Sequence, residues 1–420
     1  MQQIDWIILV ITLLFIVIYG VWKTKGSTGN VKDYILGNNE TPWWTVGLSV
    51  MATQASAITF LSTPGQAYHD GMGFVQFYFG LPIAMVVISM TFIPIYHKLK
   101  VFTAYEYLEQ RFDLKTRSLA SILFLVQRGL GTGITIYAPS IILSSILGWN
   151  LTQLNIIIGS LVIIYTFSGG TKAVNVTQKH QMFVIMFGMI VTFFLILHLL
   201  PNDMTFGNAL HIAGANDKMN IVDFSFDPET RYTFWSGITG GFFLALSYFG
   251  TDQSQVQRYL GGQSLSQSRK GLMLNAFFKL PMQLMILGLG VLMYVFYVFE
   301  TPPLNFKHPE RVAAHDRVLF EQEALRRRAT AEAWRAATYP QRKDSLGMEF
   351  KRSAARLDSI QSLVSERNKS MASGDDGSDT NFIFIRYVLD FLPVGLVGLL
   401  ISMVFCASMS STAAELSALS

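Results

Sequence analysis

"SVMATQASAITFLSTPGQAY", residues 49–68, has the length of a membrane span but not its chemistry. Thr53, Gln54, Ser56, Thr59, Ser62, Thr63, Pro64 and Gly65 all fall where a lipid-facing helix is apolar. Lipid cannot satisfy backbone groups freed by a broken helix, so such a segment must be buried in protein or line a cavity. Carbonyls released by unwinding are good ligands for a hard cation, and half-helix ends carry partial charge toward a solute. A second stretch, "FWSGITGGFFLALSYFGTDQSQVQRYL" (234–260), is interrupted by Gly237, Gly240, Gly241 and Gly250. Each glycine alone is read as a packing residue. Two interrupted spans five apart point instead to corresponding members of two inverted repeats, the arrangement of a secondary transporter.

The rest of the chain supplies the membrane around them. Its 420 residues are 51% hydrophobic and 14% charged, with a mean hydropathy of +0.37. A bilayer core takes roughly 17–25 apolar residues per helix. By that measure nine spans are expected, at about 4–22, 43–67, 72–96, 118–147, 151–170, 179–200, 233–252, 272–299 and 383–415. The stretch 4–22 lacks the basic flank and small-residue cleavage site of a leader and reads as a span. Thirteen Lys and Arg fall in the loops after the first, third, fifth and seventh spans, among them Lys23, Lys25, Lys32, Arg117 and Arg258. The short opposite loops hold only Lys218 and Arg231, so the amino terminus is expected outside.

Charge is concentrated elsewhere. Of the 60 charged residues, 26 lie between 301 and 380, which reads as a solvated, external helical insert with "GDDGSD" (374–379) as its return to the membrane. The domain reading is therefore 1–300 for spans one to eight, 301–382 for the insert, and 383–420 for the ninth span. A net charge of +4 calls for no nucleic-acid partner. The single cysteine, Cys406, excludes an internal disulfide. An enzyme is not expected, because the seven histidines form no metal-ligand spacing and Ser, His and acid groups do not cluster.

The ninth span fills with hydroxyls: Ser408, Ser410, Ser411 and Thr412. Adjacent residues are about 100° apart on a helix, so Ser410, Ser411 and the carbonyl of Ala407 one turn earlier can face one cation. Neutral oxygens of this kind suit Na⁺. The competing reading has these hydroxyls bonding back to carbonyls of their own helix. Proton coupling is disfavoured, because no intramembrane carboxylate is expected near Ser410.

Taken together, "SAITFLSTPGQAY" (56–68), "FIPIYHKL" (92–99) with "TAYEYLEQRF" (103–112), "TGITIYAP" (132–139), "SGGTKAV" (168–174) and "LSYFGTDQSQVQRYL" (246–260) resemble the sodium:solute symporter family. The iodide, multivitamin and monocarboxylate branch looks closest. The resemblance implies an all-α polytopic protein of the LeuT-type inverted-repeat fold with one extra amino-terminal helix. It implies a sodium site made by the carbonyls of Ala52, Ala55 and Ala407 and the hydroxyls of Ser410 and Ser411. It also implies a solute cavity lined by Ser56 and Thr59, with Tyr248 and Phe249 as its wall or inner gate. Na⁺ is the implied coupling ion, with no other cofactor. The partners are a small solute and the lipid bilayer of the plasma (inner) membrane, with no obligate protein partner.

Three departures bear on function. Gln178 stands where relatives often carry Asp, and Ala413 and Ala414 stand where relatives with a second sodium site carry hydroxyls. The chain is also expected to stop before the last two core helices, leaving the second repeat incomplete. Arg128, ten residues into its span, is read as a fork for a solute carboxylate, with structural pairing as the alternative. Lys279 is read as nearer its helix start and snorkelling. The expected function is sodium-coupled import of a small organic anion, such as a monocarboxylate or an acidic sugar like sialic acid. A neutral sugar or polyol symporter and a transporter-like sensor module of a histidine kinase are the alternatives.

Overall fold

The computed structural model describes residues 1–24, 31–227, 229–371 and 378–420. Lys25 and residues 374–377 of the return segment lie outside the described residues, and no strand is formed among those described. Helix α1 is Gln3–Thr24. The polar second span forms two helices, α2 (Trp43–Gln54) and α3 (Ala57–Asp70). A 3-10 turn, Gly71–Tyr78, leads into α4 (Gly80–Met90) and α5 (Phe92–Leu99). Helix α6 is Leu114–Leu147. The expected fifth and sixth spans are two helices joined directly at Gly170, whose φ 52° and ψ −142° are not helical, and are labelled together as α7, Leu151–Leu199. That kink falls inside "SGGTKAV" and suits glycine, which tolerates positive φ.

The seventh span opens with a Thr233–Ser236 capping box and a π-turn at Gly237–Gly241, then continues as α8 (Phe242–Thr251) and α9 (Gln253–Leu260). The glycines are not where it breaks. A Cβ on Gly237 would lie 2.0 Å from the Gln76 carbonyl and one on Gly241 2.3 Å from that of Phe77, so both let two backbones pass. The break is at Asp252, whose ψ of 119° turns the chain out of the helix. Helix α10 is Leu265–Phe299. The insert folds as α11 (Ala314–Ala336) and α12 (Pro340–Met371). The expected ninth span is two helices, α13 (Ile383–Phe391) and α14 (Leu396–Leu419), separated where Gly395 adopts φ 91°.

Helix α14 explains why hydroxyls can crowd an apolar segment. Every residue from 401 to 415 is buried, so this helix runs through protein and not along lipid. Its amino-terminal amides are met by a distant carboxylate: Gly395 and Gly398 donate to Asp5 of α1 at 2.6 and 3.2 Å. An anion at a helix start is favoured by the exposed N–H groups and the dipole. On the periphery, Ile11, Phe167, Phe183 and Phe277 remain exposed, as lipid-facing side chains do.

Helices α3 and α10 touch through backbone. A Cβ on Gly290 would lie 2.0 Å from the Pro64 carbonyl oxygen. Gly290→Ala must push the helices apart, and overpacking of this kind costs about 1–3 kcal/mol. A lowered melting temperature of the detergent-purified protein is the expected result.

The insert is docked on α10. Arg327 donates to the Tyr297 carbonyl and Arg328 to that of Phe299 at 3.1 Å, capping the last turn of the helix. Arg335 and Lys351 reach Asp203 (2.5 Å) and Asp217 (2.7 Å) in the segment after α7. The Arg335 hydrogen bond holds the Asp203 carboxyl below the usual carboxylate range.

Candidate ion and solute site

The break between α2 and α3 is made by two residues. Ala55 takes φ −84° and ψ 78°, and Ser56 takes φ −74° and ψ 167°. The Ser56 N–H, which an unbroken helix would give to Ala52, turns to the Gln54 carbonyl at 3.1 Å. The released Ala52 carbonyl accepts the Ser410 hydroxyl at 2.8 Å, across 358 positions of sequence. Ser411 bonds back along α14 to the carbonyls of Ala407 (3.1 Å) and Ser408 (3.3 Å). Ser411 therefore bonds back along its own helix, as the competing reading has it, while Ser410 crosses to the broken one. Ala52, Ala55, Ala407 and Ser410 are fully buried and Ser411 nearly so, with no carboxylate among them. Oxygens of this neutral kind, at an unwound helix, suit a hard monovalent cation. No group of three or more His, Cys, Asp or Glu able to hold a metal occurs among the described residues.

Gln178 braces this place from α7. Its Nε2 donates to the Ser410 carbonyl and to the Thr53 hydroxyl, both at 3.0 Å, and its Oε1 accepts from Ser49. The amide is thus spent on holding α2 and α14 together.

Beside the break lies a cavity of about 210 Å³, lined on one side by Gln54 and Tyr78 and on the other by Tyr248 and Phe249. Two of the four expected cavity residues are therefore brought to it. Ser56 and Thr59 are half-buried just past the break and do not form its wall. Tyr248 is held by Gln255, whose Nε2 donates to the phenol oxygen at 2.8 Å.

The cationic residues are arranged otherwise than the sequence suggests. Arg128 is no free fork in this conformation. Its Nε donates to Asp252 at 2.7 Å, Nη2 donates to the same carboxylate, and Nη1 donates to Glu415 at 3.1 Å. Its guanidinium carbon lies 5.4 Å from the Tyr248 ring centroid. The carboxylate expected to be absent near Ser410 is also present: Glu415, 5% exposed, lies one turn beyond Ser411 on α14. Lys279 does not snorkel. Helix α10 starts at Leu265, which puts Lys279 fourteen residues in, about 21 Å along the axis, and 1% exposed. Its ammonium has no acid partner among the described residues and faces the Tyr78 ring at 5.7 Å. One turn to either side on α10, Asn275 Oδ1 and both polar atoms of Gln283 lack partners, as does Gln54 Oε1 on the cavity wall.

Comparison with known proteins gives this geometry its context. The model of the sodium:solute symporter family matches residues 34–319. The chain belongs to that family. The human sodium/iodide cotransporter is 32% identical over 290 residues, covering 68% of this chain and 44% of its own. Sodium-coupled monocarboxylate transporter 1 of Xenopus laevis is 32% identical over 273 residues, covering 64% and 43%. The rabbit (Oryctolagus cuniculus) sodium-dependent multivitamin transporter is 27% identical over 330 residues, covering 77% and 50%. The chain thus spans about half the length, or less, of these curated relatives. Among solved structures, a Na⁺-coupled sialic acid symporter in a substrate-bound, outward-open state superposes with a TM-score of 0.76 at 23% identity, covering 100% of this chain and 73% of that one. The likeness shows the fold, which is the LeuT-type arrangement that the family resemblance implies. In this family member the sequence pattern reads Lys279 as snorkelling and gives Glu415 no role. A basic or acidic residue inside a long apolar helix was the available signal for both.

Proposed function

We propose that this chain forms the ion- and solute-binding part of a Na⁺-coupled symporter. The observation that carries it is the Ser410 hydroxyl on the Ala52 carbonyl at the helix break, beside a cavity reached from the same break. Na⁺ is held by the carbonyls of Ala52, Ala55 and Ala407 and the hydroxyls of Ser410 and Ser411. The solute occupies the space between Gln54, Tyr78, Tyr248 and Phe249, with Ser56 and Thr59 at its margin. The protein lies in the plasma membrane with its amino terminus outside and the 301–382 insert on the same side, as the distribution of Lys and Arg supports. The test is uptake of labelled monocarboxylates and sialic acid by cells expressing the full-length protein, with and without Na⁺. Uptake that needs Na⁺ supports the reading, and uptake driven equally in its absence removes it.

The solute is a small organic anion. The support is the unpaired Lys279 ammonium behind Tyr78, which an incoming carboxylate would neutralise. A neutral sugar or polyol is the second reading, favoured by the unpartnered amide oxygens of Gln54 and Asn275 and the unpartnered Gln283 amide, which suit hydroxyl groups.

One Na⁺ accompanies each solute. Gln178 already spends its amide on Ser49, Thr53 and Ser410, and Ala413 and Ala414 offer no side-chain oxygen. One Na⁺ with a monoanion moves no net charge, so voltage-clamped membranes should show no solute-evoked current. An inward current with a solute known to be a monoanion would establish a second coupled cation.

A further inference from the structure

The proposed sodium site is built from neutral oxygens, and an ion entering it would leave a bare positive charge in a buried place. One turn along α14 lies a group that can answer it. Arg128 of α6 is gripped by two carboxylates, Asp252 at the α8–α9 joint and Glu415 of α14, with side-chain exposures of 15%, 12% and 7%. With both carboxylates ionised, the trio carries one negative charge more than its arginine cancels.

Both acids have both oxygens engaged, but on different elements. Asp252 divides its oxygens: Oδ1 caps α9 by accepting from the Ser254 N–H at 2.9 Å, and Oδ2 takes the Arg128 fork. Both its oxygens are committed, one to a helix start and one to the guanidinium. Glu415 meets Arg128 through Oε1 and accepts the Thr135 hydroxyl on Oε2 at 3.0 Å. Thr135 is in turn 3.3 Å from Thr412 and accepts Ser408 on its carbonyl at 3.2 Å. Of the two acids, Glu415 is the one on the helix that also presents Ser410 and Ser411, about 6 Å of axial rise from Ser411.

We propose that Glu415 is the countercharge of the bound sodium ion, an outer residue that sets Na⁺ affinity without touching the ion. The inference rests on the sodium site assigned above. Arg128 is its opposing element: it holds Glu415 in place and cancels part of the attraction. Through Asp252 and Tyr248 the same guanidinium reaches the seventh-span joint and the cavity wall, so filling the ion site changes the balance of charge on the helix that lines the solute.

The test is binding of radiolabelled Na⁺ to the purified full-length protein. Glu415→Gln removes the surplus charge and should raise the half-saturating Na⁺ concentration about tenfold or more, given Coulomb energies at this separation and a protein-like dielectric. Glu415→Asp keeps the charge and should stay within about threefold of the parent. Arg128→Gln leaves two negative charges and should tighten Na⁺ binding, while Arg128→Gln with Glu415→Gln restores a single one and should return toward the parent value. Equal weakening by Glu415→Gln and Glu415→Asp, or an unchanged value in Glu415→Gln, would overturn the proposal even if the arginine variants fail to fold. An absence of saturable Na⁺ binding in the unsubstituted protein would instead remove the sodium site itself, and this inference with it.

Discussion

Replacing Ser410 with alanine is expected to raise the Na⁺ concentration for half-maximal uptake by roughly tenfold to a hundredfold, the value of one hydrogen-bond-grade contact to a charged group. The serine does two things at once. Its hydroxyl oxygen belongs to the proposed ligand set, and its proton satisfies the Ala52 carbonyl that the helix break released. Without it that carbonyl is buried and unpaired, which costs about 1–3 kcal/mol of stability. Ser410→Thr keeps the hydroxyl and should retain most of the Na⁺ response. Ser411→Ala offers the internal comparison, because Ser411 satisfies only carbonyls of its own helix and leaves no cross-helix partner orphaned. If uptake by Ser410→Ala follows Na⁺ as the parent does, this serine is not a ligand. If uptake instead tracks a proton gradient, the coupling ion has been misassigned.

What could be read from sequence was local, and what could not was long-range. The break in the second span was legible because Gln54, Ser56, Pro64 and Gly65 have no place in lipid, and the chain does leave the helix at Ala55 and Ser56. The seventh span was legible as interrupted but not in its place. Gly237 and Gly241 announce themselves in the sequence yet serve a close crossing with residues 76–77, while the real joint is at Asp252, an ordinary helix-capping residue by type. Arg128 looked like a free fork because its two acids lie 124 and 287 positions away, and no periodicity links them. Glu415 sat at the last position of an expected span, where a carboxylate is unremarkable; the helix runs on to Leu419 and buries it. The insert folds as the two helices α11 and α12. Its grip on the end of α10 depends on carbonyls that composition does not report.

Lys279→Met is expected to separate solute recognition from stability by moving them in opposite directions. An ammonium buried in a helical bundle with no acid partner among the described residues is held at a cost, since desolvation penalises the charged form and the Tyr78 ring returns only part of it. Arg258 shows the contrast: it too is fully buried with no acid partner among the described residues, but its guanidinium donates to Asn175, Gln257 and Ser417. Lys279 has the ring of Tyr78, and one turn away on its own helix lie the unpartnered Asn275 Oδ1 and Gln283 amide. Methionine fills nearly the same volume without charge, so the variant should melt at a higher temperature than the parent. If the ammonium is the partner of a solute carboxylate, the same variant should lose about tenfold to a hundredfold in affinity for that solute, the range of a charged hydrogen bond. A purely structural lysine predicts a different pair of results: lowered stability, with solute affinity falling only as folded protein is lost. A hydroxyl-recognising lysine predicts a third, in which Lys279→Gln restores much of the affinity that Lys279→Met removes, because an amide can serve a neutral sugar but cannot neutralise an anion. Measuring melting temperature and solute affinity on these two variants therefore decides whether the charge at the heart of α10 belongs to the fold, to an anion or to a polyol.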